Sequence, residues 1–226
     1  MCYNLFADEE SKDIFRSIID FRVSLDYQKL KLPSKETQYF DKTIPITNPN
    51  IFVDCGAYNG DTIQSLNETY GTISEIFAFE PEINNFKILC SYVSEHKDSI
   101  AKKVVLYPCG LWSTTISLSF NSGEGEASKI VQNSNNSIPC VSLDEILHGI
   151  EPDFIKMDIE GAEFHALLGL KKTIKTNKPI LAISVYHKPE HLWQIPILIK
   201  EFNENYKIYL RSYMESTFET IIYAIE

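Results

Sequence analysis

The sequence predicts an α/β protein built on a mostly parallel sheet, and three observations carry that expectation. Short apolar runs alternate with helix-patterned segments, as in Ile51–Cys55 before Asp61–Tyr70 and Glu75–Phe79 before Pro81–Lys97. This is the rhythm of βαβ units. The first apolar run opens directly onto a turn holding Gly56 and Gly60 and then a helix, the element with which open α/β sheets hold nucleotide cofactors. The composition is that of an ordinary globular chain, with 44% hydrophobic residues over 226 positions, enough for one domain to bury roughly 70% of its unfolded surface.

Taken in order, Asn4 to Lys31 shows helical spacing in Leu5, Ile14, Ile18, Phe21 and Leu25, and the proline-bearing run from Leu32 to Asn50 reads as a connector. Residues 1–45 are therefore expected to form an N-terminal helical cap and connector, and 46–226 the main domain. After the two strand–helix pairs comes a third strand, Lys103–Tyr107. The rhythm breaks between Ser113 and Cys140, where Thr115–Phe120 alternates like a strand and polar segments follow, so a hairpin is expected, with the SGEGEAS stretch as a candidate lid. Alternation resumes with a helix at Ser142–His148, a strand at Phe154–Asp158 and one helix from Gly161 to about Thr176. A buried strand at Pro179–Val185, a helix at Pro189–Asn203 and two strands, Tyr206–Arg211 and Phe218–Ala224, close the chain. The last two are joined too tightly for a helical crossover, so they should run antiparallel.

Net charge and cysteine usage narrow the function. A formal charge of −10 argues against a sequence-independent grip on nucleic acid, which needs clustered Lys and Arg. Cys2, Cys55, Cys90, Cys109 and Cys140 are scattered and form no C-x-x-C, the pattern of reduced thiols rather than of disulfides or zinc. The first residues lack a basic segment followed by an apolar run, and no apolar stretch approaches a membrane span. A cytoplasmic protein with no membrane span is expected.

The chemistry concentrates in Asp54-Cys55-Gly56-Ala57-Tyr58-Asn59-Gly60-Asp61-Thr62. Glycines let a backbone approach a ligand closely, but this is D-x-G-x-x-x-G and not the dinucleotide G-x-G-x-x-G. An acid two residues before the first glycine repels phosphate and suits a cation. S-adenosylmethionine carries an ammonium and a sulfonium and no phosphate, so the sign of the charge favours it. The second strand ends in Glu80-Pro81, where an acid is placed to accept both ribose hydroxyls of an adenosine. The third ends at Pro108-Cys109-Gly110-Leu111-Trp112, apolar groups suited to sandwich an adenine.

VDCGAYNGDT, FAFEP, VSLDEIL, DFIKMDIEGAE and LAISVYHKPEHLW together resemble the FkbM-type S-adenosylmethionine-dependent methyltransferases. The likeness covers nearly the whole chain, since ADEESKDIFRSIIDFR and YLRSYMESTFETIIYAI also resemble that family's ends. It implies a class I methyltransferase (Rossmann-like) sheet of seven strands with helices on both faces. It also implies methyl transfer to oxygen on a sugar, glycan or small-molecule hydroxyl, leaving S-adenosylhomocysteine. One departure is Ser212, where many relatives are expected to carry histidine; if that histidine serves catalysis in them, this chain must use another group, with His187 as the candidate.

A hydroxyl acceptor calls for a general base or a metal. Asp158 and Glu160 share a face if the fourth strand continues, and Glu163 follows in the next helix. Asp158 could act as base or, with Glu160, contact the donor. The three acids could alternatively hold a divalent cation, or simply favour the helix N-terminus. His187 follows a buried strand, and an imidazole's ordinary titration near neutrality suits a general base. His191 lies four residues on, but Pro189 places the helix start between them, so no metal ligand is assigned. Tyr58, Tyr186 and Trp193 are candidates to stack on a ring. The assignment is thus Asp158 and His187 for catalysis and the glycine turn, Glu80-Pro81, Cys109 to Leu111, Asp158 and Glu160 for the cofactor. An NAD-dependent oxidoreductase on a similar sheet and a non-catalytic cofactor-binding module are the rival readings.

Overall fold

Asp8 starts the first helix: its Oδ1 accepts the Ser11 amide hydrogen at 2.8 Å, the side-chain cap that an otherwise orphaned amide requires. The computed structural model describes residues 2–121, 129–130 and 137–226. In chain order it has α1 (Glu9–Ser24), β1 (Ile51–Cys55), α2 (Asp61–Tyr70), β2 (Ile73–Phe79), α3 (Ile83–Ile100), β3 (Ala101–Tyr107) and β4 (Gly110–Leu111). Then come β5 (Ile116–Asn121), β6 (Lys129–Ile130), β7 (Ser137–Val141), α4 (Leu143–Ile146), β8 (Phe154–Met157), α5 (Glu163–Leu168) and α6 (Lys171–Thr176). The chain closes with β9 (Ile180–Ser184), α7 (His191–Phe202), β10 (Lys207–Ser212) and β11 (Thr220–Ile225). Seven strands form the main sheet in the order β10-β11-β9-β8-β1-β2-β3, mostly parallel as expected.

The chain divides into two units, one of residues 47–179 and the other of 1–46 with 180–226. In the first, β1 pairs in parallel with both β2 and β8, and β2 with β3. Apart from Asp54 and Lys156, the buried positions of β1 and β8 are apolar, which parallel strands covered on both faces require. A smaller sheet, β4-β7-β5-β6, occupies the stretch where the strand–helix rhythm breaks. The expected hairpin is there as β5 against β7, with Ile116 opposite Cys140, but β4 and β6 have no counterpart in the sequence reading. The proposed SGEGEAS lid, residues 122–128, lies outside the described residues.

The single helix expected over Gly161–Thr176 is two. Gly169 stands at the break because a Cβ there would lie 2.3 Å from the Trp112 carbonyl oxygen. The Gly169 carbonyl accepts from the Ser142 hydroxyl and the Asp144 amide at 2.9 and 2.8 Å. The Asp144 carboxylate then takes the Lys172 and Thr173 amides at 2.8 Å each, restarting the helix.

In the other unit β11 runs antiparallel to β10 and β9. Arg211 on β10 is only 2% exposed. Its guanidinium donates to Asp8 Oδ2 at 2.7 Å, Ser11 Oγ at 3.0 Å and Thr43 Oγ1 at 3.2 Å, with Glu10 at 3.2 Å. Tyr213 donates to Asp41 at 2.8 Å and meets the Tyr223 hydroxyl at 2.6 Å, and Tyr223 accepts the Tyr39 amide at 3.0 Å. These contacts fasten α1 and the connector to the closing strands. Among the described residues no helix is long and apolar enough to cross a membrane.

Asp8 therefore serves both as helix cap and as Arg211 partner, and Asp8→Ala should cost about 2–4 kcal/mol in urea denaturation. Burial pushes the Asp8 carboxyl up, but hydrogen bonds from Arg211 and Ser11 outweigh it and leave it below the usual carboxylate range. A depressed folded value makes the contribution complete above the unfolded value of about 3.9 and lost as pH falls through the folded one. The difference between wild type and Asp8→Ala should shrink below that pH; a difference independent of pH would contradict the assignment.

Candidate functional site

The glycine turn is locked from several sides. The Gly56 and Ala57 amides both donate to the Phe79 carbonyl at 3.0 Å, tying the turn to the end of β2. Gly56 has φ +86° and Gly60 φ +95°, the left-handed region that glycine adopts without steric cost. Space forbids a side chain as well: a Cβ on Gly56 would lie 1.9 Å from the Asp158 carbonyl oxygen, and one on Gly60 2.7 Å from the Tyr92 ring. Tyr58 takes φ +46° without being glycine, and its amide donates to Glu80 Oε2 at 2.9 Å. The Gly60 amide closes the turn on the Ala57 carbonyl at 2.8 Å. Asn59 Oδ1 accepts the Asp61 amide at 3.2 Å, and Asp61 Oδ1 the Thr62 amide at 2.6 Å, which starts α2.

Charge under the turn is arranged around one lysine. Asp54 and Lys156 are register neighbours on β1 and β8, 0% and 3% exposed. The Lys156 ammonium lies 3.1 Å from Asp54 Oδ1 and donates to the Gly56 carbonyl at 2.6 Å. Burial works to lower the Lys156 pKa, but Asp54, Asp158 and Asp61 more than offset it and hold the ammonium charged. Burial pushes the Asp54 carboxyl up; Asp61 and Asp158 add to this and Lys156 opposes it. Three carboxylates thus act on one cation, and the locality is electronegative.

Glu80 ends β2 with both oxygens engaged, Oε1 by the Glu82 amide and Oε2 by the Tyr58 amide, each at 2.9 Å. Burial raises its pKa against these bonds. Pro81 follows, and Glu82 caps α3 by accepting the Asn84 and Asn85 amides. Cys109, Gly110 and Leu111 are buried, with Gly110 tight against Cys140 Sγ. Burial pushes the Cys109 and Cys140 thiols up to about 11, so neither is a thiolate nucleophile near neutrality. Trp112 stacks on His165 at 4.0 Å.

After β8 the strand does not continue, which corrects the expectation that Asp158 and Glu160 share a face. β8 stops at Met157, the Asp158 amide donates to the Cys55 carbonyl at 2.9 Å, and Glu160 and Gly161 turn with φ +55° and +94°. The turn is held by buried Glu163, whose Oε1 accepts the Ile159 and Gly161 amides at 3.0 and 3.2 Å. Asp158 and Glu160 are half-buried. All the assigned cofactor residues lie in the 47–179 unit; His187 lies in the other, just beyond β9, its ring 4.1 Å from that of Tyr186. His191 is the first residue of α7, so Pro189 does separate the two histidines. Trp193 is partly exposed. The sequence reading passed over Lys156 and Tyr92; a lone lysine among Phe154, Ile155 and Met157 was the available signal for the first.

These glycines supply a direct contrast. Gly71 has φ +73° and ψ −154°, a conformation essentially confined to glycine, with nothing within 4 Å of a built Cβ, so Gly71→Ala should cost backbone strain alone, about 1–3 kcal/mol. Gly56→Ala adds a backbone collision and should cost at least about 3 kcal/mol by thermal denaturation. Equal losses would contradict the packing described.

Among solved structures, the chain is similar to the FkbM methyltransferase of Methylobacillus flagellatus KT, with 25% identity and a TM-score of 0.84. That likeness covers 99% of this chain but 56% of the other, so this chain spans little more than half the length of that relative. The precorrin-6y C5,15-methyltransferase of Geobacter metallireducens GS-15 shares 11% identity, with a TM-score of 0.48 over 86% of this chain and 93% of that one. Among curated proteins none matches. Residues 54–217 match the Methyltransferase FkbM domain, a span from the aspartate before the glycine turn to the loop before β11, and the chain therefore belongs to the FkbM methyltransferase family.

Proposed function

We propose that this chain is an S-adenosylmethionine-dependent O-methyltransferase acting on a hydroxyl of a sugar, glycan or related small molecule. The observation that carries the donor assignment is the negative charge at the glycine turn, where Asp54, Asp61 and Asp158 all act on the Lys156 ammonium. Such a locality repels a pyrophosphate and attracts a ligand bearing an ammonium and a sulfonium. The same sign speaks against a nicotinamide dinucleotide.

The residues present fit the donor. The turn from Gly56 through Ala57, Tyr58, Asn59 and Gly60 to Asp61 and Thr62 brings backbone within reach of its amino-acid end, over the charge of Asp54. Asp158 and Glu160 add acceptors there. After the Glu82 and Tyr58 amides and the Asn85 side chain, the Glu80 carboxylate keeps an acceptor site of its roughly four, and with Pro81 it suits a ribose hydroxyl pair. Buried Cys109, Gly110 and Leu111 suit an adenine. When bound, the donor supplies an electrophilic methyl group on its sulfonium, and S-adenosylhomocysteine is left. His187, with Asp158 as the second candidate, takes the proton from the acceptor hydroxyl. No divalent cation is invoked. The hydroxyl acceptor follows the family expectation, and the five free cysteines suit the reducing cytoplasm.

Incubation with methyl-labelled S-adenosylmethionine and fractionated sugars and glycans tests the reading. Label should enter an acceptor hydroxyl. His187→Gln should lower transfer by about 100-fold or more and leave S-adenosylhomocysteine affinity unchanged. Donor binding without transfer to any fraction would favour the non-catalytic module, and unimpaired transfer by His187→Gln would move the base to Asp158.

A further inference from the structure

Lys156 is costly to place where it is. It sits in a strand whose residues are all buried, and a buried ion pair is often no more stabilising than apolar residues of the same volume. What a methionine could not do there is reach two acceptors on the neighbouring strand. The ammonium lies against Asp54 Oδ1 at 3.1 Å and donates to the Gly56 carbonyl at 2.6 Å. That carbonyl is the first of the glycine turn. The same residue has its amide on the Phe79 carbonyl at 3.0 Å and its Cβ direction filled by the Asp158 carbonyl. Gly56 is thereby held by β2 through its nitrogen, by β8 through its oxygen, and by Asp158 against its α-carbon.

We propose that Lys156 is a positioning residue of the donor site: with Asp54 it forms a buried strut that clamps the Gly56 carbonyl and sets the orientation of the turn from Ala57 to Gly60. The inference rests on the donor-binding reading above and deepens it. Asp54, 0% exposed, acts through Lys156 from beneath and does not touch the ligand. Because Lys156 stands two residues before Asp158 on the same segment, the strut also keeps the turn and Asp158 in one frame. A donor bound across both then meets a surface arranged in advance, which lowers the ordering cost of binding.

The test separates clamping from charge balance. Lys156→Met alone leaves Asp54 buried without its cation and is expected to melt early. The double variant Asp54→Asn/Lys156→Met removes both charges at nearly constant volume, so its melting temperature should recover while the clamp on Gly56 stays lost. Calorimetric titration with S-adenosylhomocysteine should show an affinity at least about tenfold below wild type, and amide hydrogen exchange at Ala57, Tyr58 and Gly60 should quicken with that in β3 unchanged. Wild-type affinity and wild-type exchange in the double variant would mean that the pair only balances charge, and would overturn the strut. If the double variant does not fold, Lys156→Met decides below its own melting temperature: exchange at Ala57, Tyr58 and Gly60 should quicken while that in β3 stays unchanged, and wild-type exchange at the turn would overturn the strut. Should wild type itself bind no S-adenosylhomocysteine, the donor reading fails, and the exchange rates still decide for or against the strut.

Discussion

One buried ammonium ties β8 to β1 at the glycine turn of the 47–179 unit. Lys156 bridges β8 to β1, meeting the last polar residue of β1 and the first carbonyl of the glycine turn. Removing such a charge from water costs several kcal/mol unless nearby groups compensate. Here the compensation comes from Asp54 with help from Asp158 and Asp61. The requirement runs both ways, because Asp54 has no stable place at 0% exposure without a cation beside it. Gly56 follows from the same constraint. With β1 and β8 held this close, the Asp158 carbonyl fills the space where a side chain at position 56 would stand.

From that arrangement the electrostatics of the site follow. Three carboxylates against one ammonium leave a negative locality at the carboxyl ends of parallel strands, where open α/β sheets take their ligands. Glu80 supplies fixed acceptors one strand away, oriented by the Tyr58 and Glu82 amides. Its position depends on the turn, since one of those amides belongs to it. Family membership makes the chain a methyltransferase relative, and the charge pattern gives a physical reason for a cationic donor on a fold that elsewhere carries dinucleotides.

Much of this architecture is legible in the sequence because it is written locally. The apolar run of β1, the spaced glycines and the helix Asp61–Tyr70 all announce themselves within twenty residues, and the structure has that helix at those limits. What escapes depends on partners distant in the chain. Position 169 is glycine because the Trp112 carbonyl lies where a Cβ would be, and the helical pattern breaks there with the Gly169 carbonyl taken by Ser142 and Asp144. Glu163 is the local exception: it looks like a helix-start acid, yet its Oε1 accepts the amides two and four residues before it and holds the turn that follows Met157. Arg211 gives no hint in sequence of the Asp8 and Ser11 contacts that α1 brings to it. Lys156 was visible as a lone charge in an apolar strand, but only the register with Asp54 explains it.

Whether the glycine turn and its charges take a sulfonium donor is decided by calorimetric titration of the wild-type chain with S-adenosylhomocysteine and with NADH. Saturable one-site binding of S-adenosylhomocysteine is expected, with no heat of binding from NADH. Saturable NADH binding with none from the sulfur ligand would contradict the donor assignment.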